Sequence, residues 1–187
     1  MVTQLSVCLE CDCYLTAARD YGGLMVATLI LMRHGKSAYP DNVDDHARPL
    51  APRGEREAAL AGDWLRTAAP PIDAVRCSTA ERTRQTLRAT GITAPVEYTD
   101  DIYDANPHTL MELIGLTDDS ISTLLVVGHV PGIPWTAWEL AGNRESEQAT
   151  ELSRKFPTSA LAVLEFERPW AQLGPGTGEL TVFHVPR

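Results

Sequence analysis

Hydrophobic and polar positions follow two different periods along the chain. Residues 25–32, MVATLILM, form an unbroken apolar run of the kind found in strands buried on both faces of a parallel sheet. Residues 54–67, GEREAALAGDWLRT, instead bring Ala58, Leu60 or Ala61, Trp64 and Leu65 to near-helical spacing behind Pro52, which predicts a helix. The alternation then continues. Strands are expected at 73–79, 96–99 and 122–129, and helices at 80–90, closed by Gly91, and at 108–115, ended by Gly115. A further helix, 134–142, opens with a proline, and strands 159–167 and 179–185 flank the turn-rich stretch LGPGTG. This order implies an α/β sandwich around a largely parallel sheet, with room for antiparallel strands at its C-terminal end.

The first 24 residues break this pattern. They hold Cys8, Cys11 and Cys13, three of the chain's 4 cysteines, and run through Gly22 and Gly23 to Met25. Cys-x-x-Cys-x-Cys can present thiolates to a metal, but it supplies three ligands with no histidine near. The other reading is a poorly ordered extension, residues 1–24, ahead of a single domain at 25–187. Cys77, alone in an expected strand, reads as a small buried hydrophobe.

Composition narrows the classes of function. With 187 residues, 44% hydrophobic and 22% charged, the chain can bury one sizeable core. A net charge of −9 repels nucleic acid and anionic membranes, although a local cationic pocket can exist within that field. No run approaches the roughly 18 apolar residues of a membrane span, and no signal peptide is evident, so a cytoplasmic location is expected.

Three expected strand ends carry the same chemistry. The first delivers Arg33 and His34 before Gly35, the second leads into STAERTRQT with Arg82, and the fourth ends in VVGHVPG with His129. In open α/β sheets ligands bind beyond the carboxyl ends of the strands. If these strands are neighbours, two arginines and two histidines converge on one edge. Clustered guanidinium groups need an anion, and a tetrahedral phosphoryl group matches their forked donors.

Five pieces, LMRHGKSA, RPLAPRGEREA, STAERTRQT, VVGHVPGI and PTSALAVL, occur in an order and at spacings that resemble the histidine phosphatase superfamily from about Met25 to Arg187. RPLAPRG and the short chain are most similar to the small phosphohistidine phosphatases of the SixA type. The resemblance implies a three-layer α/β/α sandwich of the phosphoglycerate mutase-like kind with a mostly parallel central sheet. It implies that His34 is a nucleophile passing through a covalent phosphohistidine, and that Arg33, Arg82 and His129 bind the phosphoryl group and stabilise its charge. Gly35 would let the backbone turn beside the phosphate. No metal or cofactor is implied, because fixed arginines can supply the charge that Mg²⁺ supplies elsewhere.

Members of the superfamily that cleave esters carry an acidic residue after the third strand. Here that region reads YTDDIYDANPH, with Asp104 as first candidate for a general acid and Asp101 as second. An imidazole leaving group, with an unperturbed pKa near 6.5, needs a proton less than an alkoxide does. The segment before the fourth strand is too short for a lid, so an open groove is expected. These features favour a phosphohistidine-bearing protein, such as a histidine phosphotransfer domain, as substrate. A small-metabolite phosphatase or mutase on the same scaffold, or a noncatalytic phosphate-binding module, are the alternatives. His46, His108 and His184 receive no role.

Overall fold

The computed structural model describes residues 26–187, so the cysteine-bearing segment and the boundary expected after residue 24 lie outside the described residues. Six strands form one sheet in the order β3-β2-β4-β1-β5-β6. They are β1 (Ala27–Arg33), β2 (Ala74–Ser78), β3 (Val96–Thr99), β4 (Thr123–Gly128), β5 (Leu161–Phe166) and β6 (Glu179–His184). β1 to β4 run parallel, whereas β5 is antiparallel to β1 and β6 to β5. The helices are α1 (Pro52–Ala68), α2 (Glu81–Thr90), α3 (Pro107–Gly115), α4 (Gly132–Leu140) and α5 (Glu147–Arg154). Every expected strand and helix is present within two residues of its expected ends. No membrane-length apolar helix occurs among the described residues.

The continuous apolar runs of β1 and β4 follow from burial on both faces. Ile30, Met32, Leu125 and Val127 pack with Ala61 and Leu65 of α1 and Leu87 of α2. Their sequence neighbours Leu29, Leu31, Leu124 and Val126 join α3, α4 and α5 on the other face. A strand alternates its side chains, so a helix layer on each side demands apolar residues at consecutive positions. The result is the three-layer sandwich.

The structure adds α5, which the sequence pattern does not announce. Only Ala149 and Leu152 of this helix are buried, and its start is fixed by the Ser146 side chain, which accepts from the Ala149 N–H. A cap of this kind satisfies one orphaned donor of a first turn. Helix α4 begins at Gly132 rather than at Pro134. A proline in the first turn displaces no intrahelical donor, so it marks a helix start only to within a turn.

Candidate active site

The site stands at the carboxyl ends of the parallel strands, and sheet register assembles it. In the β1–β4 ladder Arg33 lies opposite Gly128, so the next residues, His34 and His129, are neighbours. The His34 N–H donates to Gly128 O at 3.0 Å, and the His34 carbonyl accepts from the Ser159 N–H at 3.2 Å. These bonds pin the backbone of His34 between β4 and the start of β5. The two imidazole rings lie with centroids 5.1 Å apart. On the other side of β4, Ser78 ends β2, and its hydroxyl meets His129 Nε2 at 2.9 Å. Arg82 comes from the first turn of α2, directly after β2, and is buried.

His34 is oriented for attack through one ring nitrogen. Its Nδ1 lies 2.7 Å from Gly35 O, and because a carbonyl can only accept, Nδ1 carries the proton. Nε2 is left with the free lone pair. Burial, reinforced by Arg82, Arg33 and Arg48 and opposed by the Gly35 bond, pushes the His34 pKa down to about 4. Burial does the same to His129, with His34 and Arg82 adding to it, bringing it to about 3. Both rings are therefore neutral at pH 7.

The cluster holds polar atoms that want a partner. Arg33 donates through Nη1 to Phe156 O at 2.8 Å, but among the described residues its buried Nε has no partner, and neither does buried His129 Nδ1. The Ser78 hydroxyl accepts weakly from the Ala80 N–H at 3.4 Å, which leaves its own proton for His129 Nε2. With Nε2 accepting, the proton of neutral His129 sits on Nδ1, the unpartnered atom. An arginine and an imidazole N–H, both buried and both unpaired beside a free nucleophilic nitrogen, form a receptor for an anion. The described residues contain no group of three or more His, Cys, Asp or Glu arranged to hold a metal.

Gly35 contributes by what it lacks. Its N–H is committed to Thr86 Oγ1 at 2.8 Å, and a Cβ would stand 2.8 Å from Gly54 O on the first turn of α1. Only glycine lets the strand end approach that helix so closely. The amide expected beside a phosphate is thus already bonded to the protein.

Arg33, His34, Arg82 and His129 are brought together as expected, but Asp104 is not joined to them. It is exposed, sits at φ 54° in the turn before α3, and shares no hydrogen bond or ion pair with the cluster among the described residues. Asp101 is engaged locally by the Thr99 hydroxyl at 3.0 Å. Its neighbour Tyr103 reaches the site instead, its ring set edge-on to His129 with centroids 5.3 Å apart.

Sequence reasoning also missed Asp45 and Arg48. The loop after β1 folds back, with the Ala38 N–H on Pro49 O and the Leu50 N–H on Gln85 Oε1 of α2. Asp45 therefore lands on Arg82. Its carbonyl accepts from Arg82 Nη1 at 2.6 Å, and its carboxylate accepts from Arg82 Nη2 at 3.0 Å, from Tyr103 OH at 2.7 Å and from Arg48. Arg48 also donates to Ser37 Oγ at 2.5 Å. Arg48 was visible in the piece RPLAPRG. Asp45, one of three aspartates between residues 41 and 45, had no signal of its own.

Comparison with known proteins agrees with this geometry. Residues 29–124 match the family model described as "Histidine phosphatase superfamily (branch 1)". An uncharacterized protein of Mycobacterium tuberculosis is 53% identical over 158 residues, covering 83% of this chain and all of its own length. The phosphohistidine phosphatase SixA of Escherichia coli is 29% identical over 140 residues, 72% of this chain and 82% of SixA. Among solved structures, one assigned as the phosphohistidine phosphatase SixA of Nakamurella multipartitia superposes with a TM-score of 0.78 at 43% identity, covering 86% of this chain and 96% of that one. A protein histidine phosphatase SixA in complex with tungstate gives a TM-score of 0.70 at 25% identity, covering 85% and 97%. With its paired imidazoles at the ends of β1 and β4, and with relatives matched over most of their length, the chain belongs to the histidine phosphatase superfamily.

Proposed function

We propose that this phosphatase removes the phosphoryl group from phosphohistidine on a partner protein, through a covalent intermediate on His34. The observation that carries the reading is the neutral His34 ring, its Nδ1–H held by Gly35 O and its Nε2 free, beside the unpaired Arg33 Nε and His129 Nδ1. In the first step the Nε2 lone pair bonds to phosphorus while the substrate's P–N bond breaks and its electron pair returns to the leaving ring. In the second, water attacks the phosphohistidine and releases inorganic phosphate. Arg33, Arg82 and His129 stabilise the equatorial oxygens in both steps, and no metal is required. That a SixA relative binds tungstate, a tetrahedral oxyanion, supports a phosphoryl-sized pocket.

The surroundings favour a macromolecular substrate. Between β3 and β4 the chain spans only residues 100–122 and spends them on a 3₁₀ turn and the short helix α3. Among the described residues no domain-sized insertion interrupts this stretch. Val130, directly after His129, and Trp135, on α4, expose 40% and 56% of their surface, apolar area that suits a protein face better than a hydrated sugar.

The test is to incubate the enzyme with a phosphohistidine-bearing phosphotransfer protein and with a panel of sugar phosphates and phosphoglycerates. Phosphate loss from the protein should show the higher kcat/KM. Efficient turnover of a metabolite with none on phosphohistidine would assign the chain to the small-molecule branch.

A further inference from the structure

One ionised group at the mouth of the site has no part in the scheme above. The Asp45 carboxylate receives Arg48 on Oδ1, and Arg82 and Tyr103 on Oδ2. A carboxylate offers about four lone-pair positions, so one on Oδ1 stays open. The side chain is 52% exposed although its Oδ2 is held by the buried Arg82, so the open position is within reach of solvent. Its charge also acts on His129, whose pKa it raises against the larger effect of burial. Tyr103, with Arg82 and Arg48, holds the Asp45 carboxyl down at about 2, so it has no proton to donate near neutrality.

A fixed negative charge beside a phosphate pocket opposes an ordinary ester, whose leaving oxygen gains negative charge in the transition state. It suits a leaving group that carries positive charge. Phosphohistidine is one. With phosphorus on one ring nitrogen, the other can bind a proton, and only the protonated ring leaves as neutral imidazole rather than as an anion.

We propose that Asp45 determines specificity for nitrogen-linked phosphoryl groups by accepting, at its open Oδ1 position, the N–H of the protonated ring of phosphohistidine. The inference rests on the phosphohistidine reading. As His34 Nε2 forms its bond to phosphorus, the substrate's P–N bond breaks and its electron pair returns to the ring nitrogen. The ring, still protonated on its far nitrogen, departs neutral. No proton moves in this step, so no general acid is needed, and Asp45 stays ionised throughout.

The test compares Asp45→Asn with wild type on three substrates: phosphoimidazole, a phosphohistidine protein and p-nitrophenyl phosphate. The kcat/KM for both nitrogen-linked substrates should fall by roughly 10²-fold, the scale of a hydrogen bond between charged groups, and that for the ester by less than about threefold. The alkaline limb of kcat on phosphoimidazole, which reports the bound ring, should also move down by roughly one pH unit, because a bound ring without the carboxylate gives up its proton sooner. Substrates are compared within one preparation, so partial unfolding of the variant leaves the ratio untouched.

An equal loss on all three substrates would mean that Asp45 only holds Arg82 in place, overturning the proposal. A gain on all three, with tighter binding of inorganic phosphate, would make Asp45 an internal anion that competes with substrate, and would overturn it too. No change on any would do the same. Wild-type enzyme that cleaves the ester but neither nitrogen-linked substrate would refute the substrate reading itself, and Asp45's assignment with it.

Discussion

Arginines stand toward both ends of the sheet, Arg76 on β2 and Arg33 at the end of β1, and the two lead opposite lives. Near the amino ends of β2, β3 and β4, Arg76 lines a cavity of about 260 Å³ with Glu97, Thr117 and Asp118. It is held there through Nε on Glu97 at 2.9 Å and Nη1 on Leu113 O and on Thr117 Oγ1. At the carboxyl ends, Arg33 Nε and His129 Nδ1 are buried without partners among the described residues. The difference is diagnostic. A buried polar atom left unpaired costs about 1–3 kcal/mol, and two such nitrogens beside the His34 ring are donors that an anion can pair. The amino-end arginine braces α3 against the sheet, and the carboxyl-end groups wait for an anion.

The sharpest way to break this contrast is to remove the nucleophile. His34→Ala should abolish both turnover and phosphoenzyme formation, since it removes the free Nε2 that would bond to phosphorus, whereas His129 Nε2 is occupied by the Ser78 hydroxyl. Rapid-quench trapping of an acid-labile, base-stable phosphoenzyme measures it. Labelling equal to wild type would remove His34 from the chemistry.

The next test sets one end of the sheet against the other. His129→Ala should slow turnover by roughly 10²- to 10³-fold, as typically follows loss of one charge-stabilising donor, with little change in melting temperature. Arg76→Ala should do the reverse. Loss of its bonds to α3 should cost about 1–3 kcal/mol, roughly 3–10 °C, while kcat/KM holds. Calorimetry and steady-state kinetics on the two variants read both quantities, and a catalytic loss in Arg76→Ala would erase the distinction.

A smaller effect concerns pH. His34 must be neutral to attack, and its pKa is about 4 in the fold, so kcat/KM on an aryl phosphate should fall only as pH drops through about 4. Arg82→Ala should move that limb upward. The same shifts bear on stability: the unfolded chain's histidines take up protons below their ordinary 6.5, whereas folded His34 and His129 resist until about 4 and 3. Stability that is intact above pH 6.5 is therefore lost progressively as pH falls toward 3, and acid melts should find the decline starting near 6.5. A wild-type acid limb at 6.5 would show that His34 is not desolvated.

These outcomes bear on what the chain discloses before folding. The strands and four of the helices were legible because burial on both faces writes continuous apolar runs, and amphipathic packing writes a helical period. α5 was not, because a helix that buries only Ala149 and Leu152 writes almost no period at all. The site divides along a similar line. Arg33, His34, Arg82 and His129 stand next to strand ends, where topology makes convergence foreseeable. Asp45, Arg48 and Tyr103 reach the cluster through a loop that folds back over α2 and a turn before α3. Such long-range returns depend on tertiary bonds such as Leu50 N–H to Gln85, which no local spacing encodes.

The smallest expected effect belongs to Asp104, and it tests whether the acid is needed at all. Position after the third strand makes Asp104 the natural candidate for a proton donor, yet it is exposed and shares no hydrogen bond or ion pair with His129 or Arg82. Tyr103 occupies that approach, and its hydroxyl already donates to Asp45. Asp104→Asn should then change kcat/KM by less than about twofold on phosphohistidine, whose protonated ring leaves as neutral imidazole without a proton donor. On an alkyl phosphate, where an alkoxide must be protonated, a true general acid would show as a loss of roughly 10²-fold. Steady-state assays of the one variant on both substrates decide between these. A large loss confined to the ester would mean that the turn before α3 swings Asp104 inward when substrate binds. Equally large losses on both would remove the argument that a good leaving group makes the acid dispensable.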